Sequence, residues 1–212
     1  LSVFEHGYRL RYFNTGYNWL IIEMSGLFRV GVFFPFLKEG RALTEYAFSR
    51  LEEQLGVQVY PDGFQYELTT GYHGGIIHDY VGVIDMARKY SDIRIPESML
   101  ATLRSMYHLF VKLVEPDGAR PDLNDGSDAP IRGEMQSALR LFSDDEIFRY
   151  FATDGREGHT PDYLSIAHPY SGMAVFRTGW GKEAIWALFE SAPFGKAHQH
   201  EDKLHFDLFA YG

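Results

Sequence analysis

The 212-residue chain contains no cysteine, so it can form neither a disulfide nor a thiolate metal site. It also has no run of about 18 apolar residues, the length that a membrane-spanning helix requires. No membrane span is therefore predicted. No signal peptide is visible at Leu1, and the chain begins and ends within regular patterns. We expect it to be a piece of a longer protein.

Basic residues are scarce as well. The 20 Lys and Arg are outnumbered by 29 Asp and Glu, which gives a formal net charge of −9, and they form no basic run. A nucleic-acid partner is not expected, because such partners require clustered positive charge. The scarcity slightly disfavours a heavily sulfated substrate, although a locally basic pocket needs only a few cations to bind an anionic sugar.

Several catalytic and binding motifs are missing too. The chain has no phosphate-binding Gly-x4-Gly-Lys-Ser/Thr loop, no Gly-x-Ser-x-Gly elbow and no His-Glu-x-x-His helix. The segment "RPDLNDGSD" (120–128) lacks the alternating acids of an EF-hand and is predicted to be a surface loop. A pair of carboxylates for glycoside hydrolysis is neither indicated nor excluded.

Apolar side chains, by contrast, are abundant. They make up 45% of the chain, and aromatic residues make up 16%, which predicts a packed core. Gly56 and Pro35 are expected to end helices, and residues 57–73 are expected to form a connection. Apolar periodicity predicts helices near 17–34, 43–55, 77–84 and 100–114, with shorter ones near 133–142 and 144–152.

The pattern then changes to short segments rich in aromatic and β-branched residues. These are expected to be strands at 171–180, 183–191 and 203–211. In the last of them, the alternating Leu204, Phe206, Leu208 and Ala210 predict a half-buried strand. Helices followed by strands indicate an α+β fold, with a helical domain over residues 1–160 and a β domain over residues 161–212.

The segment "DGFQYELTTGYH" (62–73) is the first candidate site. Tyr72 and His73 follow one glycine and precede two more, so the backbone can approach a ligand closely. A loop tyrosine with a tuned pKa can act as an acid or a base. The alternative is an ordinary aromatic anchor. Glu67 can either orient this loop or remain solvated.

Asn18 is the second candidate, because it is an amide among large apolar residues in "YNWLIIE" (17–23). One interpretation is a helix N-cap or a buried amide with satisfied hydrogen bonds. The other is a donor that binds an anion or a carboxylate.

The third candidate is "HQHED" (198–202). In an extended segment, His198 and His200 would point to the same side. They could provide two metal ligands, one ligand and one catalytic base, or only a polar entry to a strand. Two ligands do not complete a zinc site, so a third would have to come from elsewhere.

Together these segments resemble the heparinase II/III family of polysaccharide lyases. The likeness rests on "NWLIIEMSGLFRVGVFFP" (18–35), "VYPDGFQYELTTGYH" (59–73), "SGMAVFRTGWG" (171–181) and "GKAHQHEDKLHFDLFAYG" (195–212). It implies an incomplete (α/α) toroid followed by an antiparallel β-sandwich domain, of which the chain would hold the later helices and the first strands. Family members that are secreted or periplasmic suggest the same location for this protein.

The resemblance also implies roles for single residues. Asn18 matches the residue that contacts the substrate carboxylate, Tyr72 the catalytic tyrosine, and His198 the histidine that reaches the cleft from the β domain. His200 matches a ligand of a structural zinc in some members, whose other ligands lie farther along. Trp19, Glu67 and His73 are assigned to substrate binding.

The implied reaction is β-elimination on an acidic polysaccharide or oligosaccharide that contains uronic acid, such as heparan sulfate or alginate. It requires no cofactor, and it leaves a 4,5-unsaturated uronate. Two alternatives remain: a non-catalytic carbohydrate-binding protein, and a glycoside hydrolase built on an (α/α) toroid. The sequence leaves the oligomeric state open.

Overall fold

The computed structural model describes residues 2–12, 15–194, 196–201 and 203–211. The chain divides into two compact units, one made of Leu1–Val59 and Gly74–Thr102, the other of Tyr60–His73 and Leu103–Gly212. None of the described helices is both long enough and apolar enough to cross a membrane.

Within the described residues, seven helices account for most of the regular structure. In chain order the helices are α1 (Ser2–Tyr12), α2 (Tyr17–Phe33), α3 (Gly40–Gln58), α4 (Thr70–Tyr90), α5 (Glu97–Leu113), α6 (Arg132–Leu141) and α7 (Glu146–Ala152). All six predicted helices are confirmed, and α1 was not predicted.

The first unit is built around the antiparallel contact of α2 and α3. Phe28 and Phe48 approach with ring centroids 6.0 Å apart. Gly31 permits the close approach, because a Cβ there would lie 2.2 Å from Thr44 Oγ1. The Tyr80 hydroxyl of α4 donates to the Leu51 carbonyl at 2.8 Å, so α4 is fixed to α3 by a buried hydrogen bond.

Two predicted boundaries of helices are wrong. Gly56 does not end α3, which continues to Gln58; the chain becomes extended at Val59, and the bulk of Pro61 disfavours a helical Tyr60. The connection predicted for residues 57–73 ends early, because α4 starts at Thr70. Thr69 caps this helix: its carbonyl accepts from the His73 amide at 3.0 Å and its Oγ1 from the Tyr72 amide at 3.5 Å.

The second unit contains the strands. A small hairpin pairs β1 (Ala119–Arg120) with β2 (Ala129–Pro130). A four-stranded antiparallel sheet has the order β3-β4-β5-β6, formed by Ile166–His168, Met173–Arg177, Trp186–Glu190 and Phe206–Phe209. The three predicted strands are confirmed as β4, β5 and β6, which are shorter than expected, and β3 was not predicted.

One face of this sheet packs against helices and loops of the same unit. Met173, Val175, Trp186 and Leu188 point inward. They form a core with the buried side chains of Phe64, Leu68, Leu109, Leu113 and Leu123. The loop before α4 is tied to the turn between β3 and β4, where Asp62 Oδ2 accepts from the Ser171 amide at 2.8 Å. The segment 64–73 is therefore held in place by this core, to which Phe64 and Leu68 contribute.

The other face of the sheet is apolar and exposed. Phe176, Phe206 and Leu208 are each more than half exposed, and Phe189 is exposed beside Phe206 across the β5–β6 pair. A strand forms at Phe206–Phe209 as predicted, but the alternation indicated the wrong buried face, because Phe206 and Leu208 lie on the exposed side and Leu204, which precedes the strand, is exposed as well. The opposite side of β6 turns inward, where Phe209 packs against the core.

The α+β fold class is confirmed by this order of helices and antiparallel strands. The domain boundary near residue 160 and the toroidal arrangement of the helices stay predictions.

Candidate active site

Tyr72 lies in the first turn of α4, not in a loop as predicted. Its side chain is half-buried. The position follows from the capping by Thr69, three residues before Tyr72, which lets the helix begin at Thr70. The ring therefore projects from a regular helix that is held by tertiary packing.

His198 stacks on the Tyr72 ring. The two centroids are 3.9 Å apart and the planes make an angle of 21°. His198 lies in a turn with φ +65°, so the segment is not extended as predicted. The turn brings an imidazole and a phenol into direct contact although they come from distant parts of the chain.

Asp125 connects the two histidines of "HQH". Its Oδ2 lies 3.0 Å from His198 Nδ1, and its Oδ1 lies 2.7 Å from His200 Nε2. The hydrogen bonds from His200 and then His198 lower the pKa of the Asp125 carboxyl. The two rings do point to the same side, as predicted, because both bond to the Asp125 carboxylate.

The loop that carries Asp125 has a larger role than predicted. Residues 120–128 are largely on the surface, as expected, but Asn124 and Asp125 also hold the segment 198–200. The Asp125 amide donates to the His198 carbonyl at 3.1 Å. Sequence reasoning missed both residues, because it predicted only a surface loop for this segment.

His73, next to Tyr72, lies in different surroundings. Its ring is fully buried, edge-on to Phe64 and Phe110 at centroid distances of 5.4 and 4.9 Å. Nδ1 accepts from the Gln65 amide at 3.3 Å, so the proton is on Nε2, which donates to the Met106 carbonyl at 2.9 Å. Burial lowers the pKa of His73 to about 4. This placement favours a structural role over the predicted contact with substrate.

Glu67 is likewise fully buried. Its amide donates to Gln65 Oε1 at 3.0 Å in the turn before α4. Of the two predicted possibilities, orienting this segment or remaining solvated, burial excludes the second. Its assignment to substrate binding stays a prediction, and the burial does not favour it.

Asn18 and Trp19 belong to the first unit, in the first turn of α2. Gly16 holds the N-cap position, so Asn18 is not an N-cap. Its side chain is 4% exposed, whereas that of Trp19 is 60% exposed. A buried structural amide and a donor to a substrate carboxylate both remain compatible with this position, and the Trp19 face is open to solvent.

His200 was predicted to be a zinc ligand. Among the residues that the structure describes, no three His, Cys, Asp or Glu side chains form a cluster that could hold a metal. His200 Nε2 is instead engaged by Asp125. A structural zinc stays a prediction, and no chemical step below uses it.

A cavity of about 410 Å³ lies elsewhere in the second unit, lined by residues that include Glu115, Arg132 and Arg177. Burial raises the pKa of Glu115 to about 7. The two arginines that line the cavity already have partners. Arg132 pairs with Asp154 at 2.9 Å, and Arg177 donates to the Lys112 carbonyl at 2.8 Å. Neither Tyr72 nor His198 lines this cavity. The Tyr72–His198 pair is the better candidate for chemistry.

Comparison with known proteins gives consistent matches. A family model described as the heparinase II/III N-terminus matches residues 1–150. A heparin-sulfate lyase of Pedobacter heparinus is 31% identical over 205 residues, which are 95% of this chain and 31% of the relative. A heparin-sulfate lyase of Bacteroides stercoris is 30% identical over 92% of this chain and 30% of the relative.

Among solved structures, a heparinase III superimposes with a TM-score of 0.84 at 29% identity, covering 98% of this chain and 33% of that protein. The chain thus spans about a third of the length of the curated relatives that it matches.

Proposed function

This chain belongs to the heparinase II/III family, since the family model matches residues 1–150, and we propose that it forms part of a glycosaminoglycan lyase. The proposed reaction is β-elimination at a uronic acid, with Tyr72 and His198 as catalytic residues. The observation that carries the proposal is the stacked contact of these two rings, 3.9 Å between centroids.

The reaction needs a base and an acid close together. The base removes the C5 proton of the uronate, the electron pair forms the C4–C5 double bond, and the C4–O4 bond breaks. The acid protonates the departing O4. Tyr72 protonates O4 and is able to serve both roles, because a phenol donates as an acid and accepts as a phenolate. His198 serves as the base or neutralises the carboxylate, according to the stereochemistry at C5.

Asn18 is proposed to stabilise the charge that builds on the uronate carboxylate when C5 loses its proton. Hydrogen-bond donors directed at a developing oxyanion are among the largest contributions to catalysis. An amide in the first turn of α2 suits this task, since helix N-termini favour negative charge. Trp19, which is largely exposed, is proposed to contact the sugar rings.

The proposed substrate is heparan sulfate or a similar sulfated polysaccharide. The relatives at 30% and 31% identity are heparin-sulfate lyases, which favours this class over alginate. The low number of basic residues argues for a few local cations rather than an extended basic surface.

The architecture proposed for the whole protein is an (α/α) toroid followed by an antiparallel β domain. The exposed apolar face of the sheet, with Phe176, Phe189, Phe206 and Leu208, supports this, because large apolar patches on a sheet are normally covered. A periplasmic or secreted location, a structural zinc at His200 and the domain boundary near residue 160 are part of the same proposal.

The decisive experiment uses the full-length protein that carries this chain. Incubation with heparan sulfate should generate the ultraviolet absorbance of a 4,5-unsaturated uronate. Tyr72→Phe should lower kcat/KM at least about 100-fold, as expected when a general acid is lost. Tyr8→Phe, at an exposed tyrosine of α1, is the matched control and should retain full activity.

Three results would contradict the proposal. Full activity in Tyr72→Phe would remove the tyrosine from the mechanism. New reducing ends without absorbance would indicate a hydrolase. Binding of the polysaccharide without any product would indicate a carbohydrate-binding protein.

A further inference from the structure

The Tyr72–His198 contact joins two segments that are far apart in sequence, so something must fix one against the other. One segment is the turn and helix start at 65–72, and the other is the turn at 196–200. Both belong to the second unit. A stacked pair of rings alone contributes only about 1 kcal/mol, too little to hold two surface segments in register.

Asn124 makes a side-chain hydrogen bond to each of these segments. Its Nδ2 donates to the Leu68 carbonyl at 2.7 Å, four residues before Tyr72. Its Oδ1 accepts from the His200 amide at 2.9 Å, two residues after His198. One carboxamide therefore connects the backbones that carry the two proposed catalytic rings.

The residue type suits this position. A carboxamide donates through its nitrogen and accepts through its oxygen at the same time, so one short side chain can bond to both backbones. Asn124 also has φ +56°, a conformation that asparagine tolerates better than most residues. The chain on either side is anchored, since Thr70 Oγ1 donates to the Pro121 carbonyl at 2.8 Å and the Asp125 amide donates to the His198 carbonyl at 3.1 Å.

We propose that Asn124 is a positioning residue of the active site, which sets the distance and angle between Tyr72 and His198 through the backbones at Leu68 and His200. Both of these side-chain hydrogen bonds go to backbone groups, not to either ring. The inference rests on the proposed lyase function for its effect on catalysis, while its geometric part stands without it.

The matched pair of variants is Asn124→Asp and Asp122→Asn, made in the full-length protein. Asn124→Asp keeps the acceptor for the His200 amide and the same shape, but it replaces the donor with an oxygen that faces the Leu68 carbonyl. Asp122→Asn changes an exposed side chain of the same loop. Because small misplacements of catalytic groups cost up to about 100-fold in rate, we expect Asn124→Asp to lower kcat about 10- to 100-fold with KM nearly unchanged. Asp122→Asn should leave both parameters unchanged.

A second measurement does not depend on activity. In the wild-type protein the stacked Tyr72 ring should shift the His198 imidazole proton signals upfield in NMR spectra of histidine-labelled protein, with His198→Gln identifying those signals. In Asn124→Asp and Asn124→Ala these signals should move toward the positions of an unstacked histidine.

The outcomes separate the two proposals. If the wild-type protein gives no unsaturated product, the lyase function fails, and the NMR shift still decides the role of Asn124. Unchanged His198 signals in both Asn124 variants would overturn that role. A loss of activity that matches a loss of folded protein, with kcat per folded molecule unchanged, would also overturn it, because it would show a merely structural contribution.

Discussion

His73 and His198 both lie beside Tyr72, but in opposite surroundings. His73 is the next residue in the chain, yet its ring points into the core and bonds to the Met106 carbonyl. His198 comes from a distant turn, and its ring stacks on Tyr72 near the surface. Successive residues of a helix point about 100° apart, so the neighbour in sequence is not the neighbour in the site.

The same comparison separates stability from chemistry. The desolvated ring of His73 stays neutral, because burial lowers its pKa to about 4, and both of its nitrogens are engaged by backbone groups. The ring of His198 is reachable and is bound by the Asp125 carboxylate. One histidine is expected to support the fold and the other to support the reaction.

Removing His198 is expected to have the largest effect. His198→Ala in the full-length protein should lower kcat/KM by about 100-fold or more, as when a general base is lost. Its unfolding midpoint in urea should change little, since a partly exposed side chain contributes about 1 kcal/mol or less. His159→Ala, at an exposed histidine of the second unit, serves as the control. If His198→Ala kept activity within about twofold of wild type, His198 would have no catalytic role.

Removing His73 should act on stability instead. His73→Ala deletes a packed ring and leaves the buried Gln65 amide and Met106 carbonyl without these partners, at a combined cost of about 4 kcal/mol in the free energy of unfolding. Urea unfolding of the full-length protein measures it. His78→Ala, at an exposed histidine of the same helix, should cost little. Equal losses in the two variants would show that His73 is not a core residue.

Local patterns predicted the regular elements well because helices and strands follow from apolar periodicity. Local patterns gave wrong predictions where contacts between distant segments determine the conformation. Three glycines at 71, 74 and 75 suggested a loop around Tyr72, but capping by Thr69 and the buried face of α4 make it helical. No local signal connects Asn124 with Leu68 and His200, since these contacts depend on how distant segments pack.

The family resemblance, not periodicity, selected Tyr72 and His198 as a pair. The structure brings their rings into contact, whereas their catalytic roles stay predictions. His73 and Glu67 were assigned to substrate binding, but both side chains are fully buried. Burial could not be read from these polar residues, because a polar side chain inside a core looks the same in sequence as one on the surface.

The pH dependence of the free energy of unfolding tests whether His73 is neutral in the folded protein, and it is the smallest effect expected here. Between pH 6.5 and about 4 the unfolded chain binds a proton at His73 while the folded protein does not, so stability should fall as pH falls through this range. The loss attributable to His73 is up to about 3 kcal/mol, from 1.36 kcal/mol per unit of pKa difference. His168 is buried and has its pKa lowered to about 4 as well, so it should add a similar slope.

The non-titrating variant His73→Gln isolates one contribution. The His168 slope is present in both proteins, so the difference between wild type and His73→Gln reports His73 alone. Measured by urea unfolding from pH 4 to 7, the wild-type protein should lose more stability on acidification than the variant. Parallel curves would mean that His73 takes up its proton in the folded protein, which is incompatible with a neutral ring bonded between the Gln65 amide and the Met106 carbonyl.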